Sequence, residues 1–106
     1  MVATTIDELR ALLTTQLAHS PPADRARFEQ VAIPPARWAL TPWGDDTGGF
    51  RAVAVLGNRV LWYNEIEDGF NVSEFFEHGV IPSNEYWCNQ DEIAGALRSL
   101  FVPRKP

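Results

Sequence analysis

A chain of 106 residues with 45% apolar and 22% charged side chains fits one globular domain, residues 1–106, and is too short for two. Its formal net charge of −5 disfavours nucleic acid and anionic lipid, and its single cysteine, Cys88, excludes an intrachain disulfide. No apolar run approaches the ~20 residues of a membrane span, and residues 1–8 lack the basic and apolar regions of a signal peptide, so a cytoplasmic protein is expected.

The first expected element is a helix. Thr5 and Glu8 have capping-box spacing, and Ile6, Leu9, Leu12, Leu13 and Leu17 form one apolar stripe before Ser20-Pro21-Pro22 ends it. Residues 23–33 read two ways: a strand over 28–33, or a short helix opened by Pro22. Pro34-Pro35 breaks whatever precedes it, residues 37–41 suit a short edge strand, and 42–49 form a loop carrying Trp43, Asp45 and Asp46.

Residues 50–56, 59–67 and 70–76 then predict an antiparallel meander, with Gly57-Asn58 and Asp68-Gly69 as two-residue turns. Those turns set Val53 opposite Trp62 and Tyr63 opposite Glu74. One face should hold Arg51, Val53, Val55, Val60, Trp62, Asn64 and Phe75. The other should hold Phe50, Ala52, Ala54, Leu56, Leu61, Tyr63, Val72 and Phe76 and receive the helices, since Ala52 and Ala54 allow close approach. A closing helix follows, with Asn89 as N-cap, Glu92 three residues on and a stripe of Ile93, Ala96, Leu97, Leu100 and Phe101. The fold class is α+β: an antiparallel meander of three to five strands packed against an N-terminal and a C-terminal helix.

Charge is unevenly spread. Residues 1–44 balance, whereas residues 45–92 hold Asp45, Asp46, Glu65, Glu67, Asp68, Glu74, Glu77, Glu85, Asp91 and Glu92 against only Arg51 and Arg59. Such a field attracts basic proteins, although a solvated acidic face also serves solubility alone. Within it, the segment 62–71 mixes aromatics with acids, the composition of an interface toward a basic partner. The candidate partner-binding residues are Glu65, Glu67, Asp68 and Glu74 as steering acids, with Tyr63 and Phe70 as anchors. Trp62, on an aliphatic face, reads as core, and Trp43, Tyr86 and Trp87 as a second aromatic group.

Catalytic signals are weak. Cys88, near a helix start, with His78 and Asn89 permits an imagined Cys/His/Asn nucleophile, but Tyr86-Trp87 beside it favours a buried thiol. Glu65 and Glu67, two apart on one strand, have the spacing for acid–base work and equally that of exposed hairpin acids. No C-x-x-C, H-x-x-x-H or Ca²⁺-loop spacing occurs, so no metal is expected; no phosphate-binding glycine loop occurs, so no cofactor is expected.

The lead-in Asp45-Asp46-Thr47-Gly48-Gly49-Phe50, the strand Arg59-Val60-Leu61-Trp62-Tyr63 and the helix start Asn89-Gln90-Asp91-Glu92-Ile93 carry a pattern over roughly residues 45–101. It resembles the small acidic immunity proteins of bacterial toxin–immunity systems, including the SUKH (Smi1/Knr4-like) group. Residues 20–44 depart from that group's helical lead-in. The resemblance implies a stoichiometric inhibitor that covers a toxin's active site with its acidic face. The function expected is therefore an acidic protein-binding module neutralising a basic enzyme such as a toxin or nuclease. Two alternatives stay open: a small enzyme or ligand-binding domain using Cys88/His78 or Glu65/Glu67, and a homo-oligomerising (for instance dimeric) structural subunit.

Overall fold

Thr5 opens the first helix through local chemistry. Its hydroxyl accepts from the Glu8 N–H, and the Glu8 carboxylate accepts from the Thr5 N–H, each at 3.1 Å. In the computed structural model, which describes residues 4–86 and 91–102, this capping box starts α1 (Ile6–Ala18). Pro22, at the first helical position where no N–H is needed, starts α2 (Pro22–Val31). The helical reading of residues 23–31 thus prevails. β1 (Ala32–Trp38) follows directly and runs through Pro34-Pro35, where the sequence predicted a break. It can do so because β1 is an edge strand, with an irregular register between Ala32 and Ala36.

β2 (Phe50–Leu56), β3 (Arg59–Asn64) and β4 (Gly69–Glu74) complete a four-stranded antiparallel sheet in the order β1-β2-β3-β4, and α3 (Ile93–Phe101) closes the chain. The β2–β3 register begins as expected, with Leu56 opposite Arg59 and Ala54 opposite Leu61. It then shifts by one, so that Ala52, not Val53, faces Trp62. Val53 is the extra residue of a bulge, and a one-residue slip exchanges the faces beyond it. Phe50 and Ala52 consequently join Trp62, while Val53 joins Ala54 in the helix-side core. By alternation Arg51 turns to the helix face, opposite to expectation.

The second hairpin also departs from the expected register. Asn64 pairs with Gly69, Tyr63 with Phe70 and Arg59 with Glu74, so the loop is the four residues 65–68 rather than an Asp68-Gly69 turn. The Asn64 side chain explains this, since its Oδ1 accepts from the N–H groups of Ile66 at 3.0 Å and Glu67 at 3.3 Å and builds the turn itself. Asp68 takes the left-handed position, at φ 55°. The slip is four residues, an even number, so every side chain of β4 keeps its expected face. β4 ends at Glu74, however, and Phe76, expected against the helices, is 95% exposed.

The helices pack on one face only. Leu9 and Leu13 of α1, Val31 of α2, and Ile93, Ala96, Leu97 and Leu100 of α3 share a core with Val53, Ala54, Leu61, Tyr63 and Phe70. The N-cap of α3 is Glu92; Asn89, the expected cap, lies outside the described residues. The Ile93 N–H is satisfied instead from α1, by Gln16 Oε1 at 2.7 Å. No helix among the described residues is long and apolar enough to cross a membrane.

The opposite face carries a second core, Trp38, Leu40, Phe50, Ala52, Val60, Trp62 and Ile81, covered by loops rather than helices. Trp62 Nε1 donates to Ser73 Oγ at 2.9 Å, and Ser73 Oγ donates to the Glu85 carbonyl at 3.0 Å, fastening the loop over the sheet. Trp62→Phe is expected to cost about 1–2 kcal/mol through the lost hydrogen bond and the volume removed, read as a lower midpoint in urea with an unchanged slope.

Candidate protein-binding surface

The six residues predicted to bind a partner do not form one surface. Phe70 and Tyr63 are core residues, their rings 5.2 Å apart beneath the helices. The Tyr63 hydroxyl donates to Asp68 across the loop. Burial, then that hydrogen bond and the Asp68 charge, push the phenol well above its usual titration range. Tyr63 therefore stays neutral and ties the loop from inside; neither ring is available as an anchor on the surface.

Glu65 is also occupied. Its side chain is 1% exposed and forms an ion pair with Arg37, whose own side chain is 20% exposed. One Glu65 oxygen accepts from Arg37 Nη1, and the other from the Thr4 N–H and from Arg37 Nη2, the last at 3.4 Å. Arg37 further donates to the Gly49 carbonyl at 2.8 Å, so the pair joins the start of α1, β1, β2 and the β3–β4 loop. With both oxygens bonded, Glu65 is not free to act with Glu67 as an acid–base pair. Only Glu67 and Asp68 keep carboxylates near solvent at this loop, with Ile66 45% exposed beside them. Glu74 lies at the other end of β4, roughly 17 Å away at 3.3 Å per residue. Its carboxylate accepts from Asn58 Nδ2 at 3.3 Å.

The surface that sequence reasoning left in second place is better formed. Trp43 is 39% exposed and stacks on Tyr86, with ring centroids 4.3 Å apart and planes 11° from parallel. Tyr86 in turn lies against the buried rings of Trp62 and Phe50, at 6.2 and 6.3 Å. The stack is thus a surface extension of the loop-covered core, with one face of the Trp43 indole supported from below. Trp87, grouped with it from the sequence, lies outside the described residues.

Acids adjoin this stack along the chain on both sides. Asp45 and Asp46 begin a 3-10 turn (Asp45–Thr47) two residues after Trp43, and both are exposed. Thr41 Oγ1 donates to Asp45 Oδ1 at 3.0 Å, which fixes the loop around the tryptophan. Glu85 precedes Tyr86 and accepts from the Glu74 N–H at 2.9 Å. Among the described residues, Arg side chains pair only with Asp24 and Glu65, so no internal ion pair spends Asp45, Asp46 or Glu85.

The other candidate chemistry finds less support. His78 packs against Trp38 at 4.6 Å, while Cys88 and Asn89 lie outside the described residues. Among the described residues no three of His, Cys, Asp and Glu gather as metal ligands. An open groove of about 340 Å³ between α1 and α2 is lined by Thr14, Leu17, Ala18, Arg25, Phe28 and Glu29. Arg25 there donates to the Leu17 and Ser20 carbonyls, at 3.4 and 2.7 Å. No family model, curated protein or solved structure matches the chain.

Proposed function

We propose that the chain is an acidic protein-binding module whose partner is a basic protein, and that it acts as a stoichiometric inhibitor of that partner. The observation carrying this reading is the Trp43–Tyr86 stack, a supported aromatic platform with exposed carboxylates next to it in the chain. A rigid aromatic presents contact area at little entropic cost, and the open indole face attracts a guanidinium or ammonium group. Neighbouring carboxylates add long-range steering and pair with the incoming cation. The resemblance to small acidic immunity proteins favours an inhibitor over other binding roles, with a toxin or nuclease as the kind of target.

The test is affinity capture from the source lysate by the wild type and by Trp43→Ala/Asp46→Lys, at low and high salt, with bound proteins identified by mass spectrometry. A basic protein held by the wild type at low salt, released at high salt and lost from the variant is the expected result. Asp46→Lys is an exposed change, whereas Trp43→Ala gives up the stack on Tyr86, so the variant is expected to fold with a stability loss of about 1–2 kcal/mol, read from its urea midpoint before the capture. An identical bound set for the two proteins would remove this surface from the account.

A further inference from the structure

Arg37 and Arg51 stand directly opposite each other on β1 and β2, a like-charge cross-strand pair that is destabilising unless an anion neutralises it. Glu65 bonds to Arg37. Arg51 has no such partner among the described residues. Its Nε is buried without a hydrogen bond, and no described residue forms an ion pair with its guanidinium. Burial and the facing Arg37 hold its pKa below the ordinary arginine range, which Glu65 only partly offsets. Buried polar atoms without partners are rare in folded proteins, and each calls for an explanation.

The chain cannot supply the missing charge from its side chains. Every Asp and Glu of the sequence lies within the described residues, and none bonds to Arg51. Arg51 as a whole is partly exposed, so part of its side chain is within reach of a solute. Thr4, just ahead of α1, lies at the same place, because it bonds to both Glu65 and Arg37.

We propose that Arg51, flanked by Arg37, binds a carboxylate monoanion at this end of the sheet. A guanidinium presents paired N–H donors in one plane, which match the two oxygens of a carboxylate. Charge selects the same class. Two arginines and Glu65 leave one unbalanced positive charge, which a carboxylate cancels and a phosphate dianion would overshoot in a partly buried place. The carboxylate belongs either to a small free acid or to the C-terminus of a polypeptide. This site is on the helix face, away from the Trp43–Tyr86 surface, and stands independently of the proposed function.

Nitrogen-15 NMR of the arginine Nε–Hε groups tests it, with the Arg51 signal identified by its loss in Arg51→Gln. Sodium acetate, acetyl-Gly-Gly with a free C-terminus and the same peptide amidated would each be titrated at ionic strength matched with sodium chloride. The expected result is a saturable shift of the Arg51 signal with acetate or with the free-acid peptide, and none with the amide. Saturation by acetate assigns a small free acid as the source, and saturation by the peptide acid alone assigns a polypeptide terminus. In parallel, acetate should raise the melting midpoint of the wild type and leave that of Arg51→Gln unmoved. If Arg51→Gln does not fold, Arg51→Lys, which keeps the charge without the fork, replaces it as reference. A shift no larger than chloride gives, or an equal shift with the amide, overturns the proposal.

Discussion

Gly49→Ala is expected to abolish cooperative unfolding at room temperature or to cost more than about 4–5 kcal/mol, whereas Gly48→Ala, one residue earlier, should cost about 1 kcal/mol. Both glycines have positive φ, 110° and 74°, so the backbone alone does not separate them. Space does. A Cβ on Gly49 would lie 2.1 Å from the Trp38 carbonyl oxygen and 2.5 Å from its carbon, while a Cβ on Gly48 meets nothing within 4 Å. The obstructing atoms are backbone of β1, held in register by the Trp38–Phe50 pairing, so they cannot turn aside as a side chain would. Gly49 also donates to the Gly44 carbonyl at 2.7 Å and accepts from Arg37, so shifting it opens the Trp43 loop and the Arg37 network together. Thermal and urea unfolding of the two variants checks this. Similar stabilities would mean that β1 does not approach Gly49 as closely as described.

Glu65→Ala should cost about 3–5 kcal/mol, toward the lower end because the stranded Arg37 keeps some access to water. The double variant Arg37→Ala/Glu65→Ala should be less destabilised than the two single losses summed, since it leaves no uncompensated charge. By contrast, removing Arg27, 48% exposed and 3.1 Å from Asp24 three residues away, should change stability by no more than about 1 kcal/mol. A cost for Glu65→Ala as small as that for Arg27→Ala would show the Glu65 pair to be solvent-screened. As steering acids on an exposed hairpin, Glu65 and Glu67 would accept lysine without loss of the fold. Burial of Glu65 against Arg37 changes that expectation, and binding tests must leave Glu65 in place.

What was legible in the sequence was local. The Thr5–Glu8 box, the Gly57-Asn58 turn and the α3 stripe each need only neighbouring residues, and each stands where the sequence puts it. The Val53 bulge had no such signal. Residues 50–56 are apolar except for Arg51, so either face accepts them, and the choice falls to tertiary packing. Asp68-Gly69 resembles a two-residue turn, but Asn64 outcompetes it with its own side chain, a contest that turn dipeptides do not reveal. Pro34-Pro35 reads as a breaker until β1 is known to be an edge.

The candidate site was legible in kind more than in place. The sequence offers aromatics beside acids at residues 62–71 and a second aromatic group at Trp43, Tyr86 and Trp87, and the first of these supplies core and an ion pair. Tyr63 stands on the face expected to receive the helices, which argues against its use as an anchor, and the helices cover it together with Phe70. Likewise Glu65 looks like a hairpin acid because its partner, Arg37, lies far back in the chain. Trp43 and Tyr86 are brought together by the loops that close the second core, which no periodicity encodes.

The central claim is that a basic protein is recognised by charge and aromatic contact, and association kinetics with the captured partner test it most directly. The account predicts an on-rate that falls steeply as ionic strength rises, a further loss of on-rate in Asp46→Lys, and a faster off-rate in Trp43→Ala. An on-rate indifferent to salt, together with unchanged dissociation in Trp43→Ala, would contradict it.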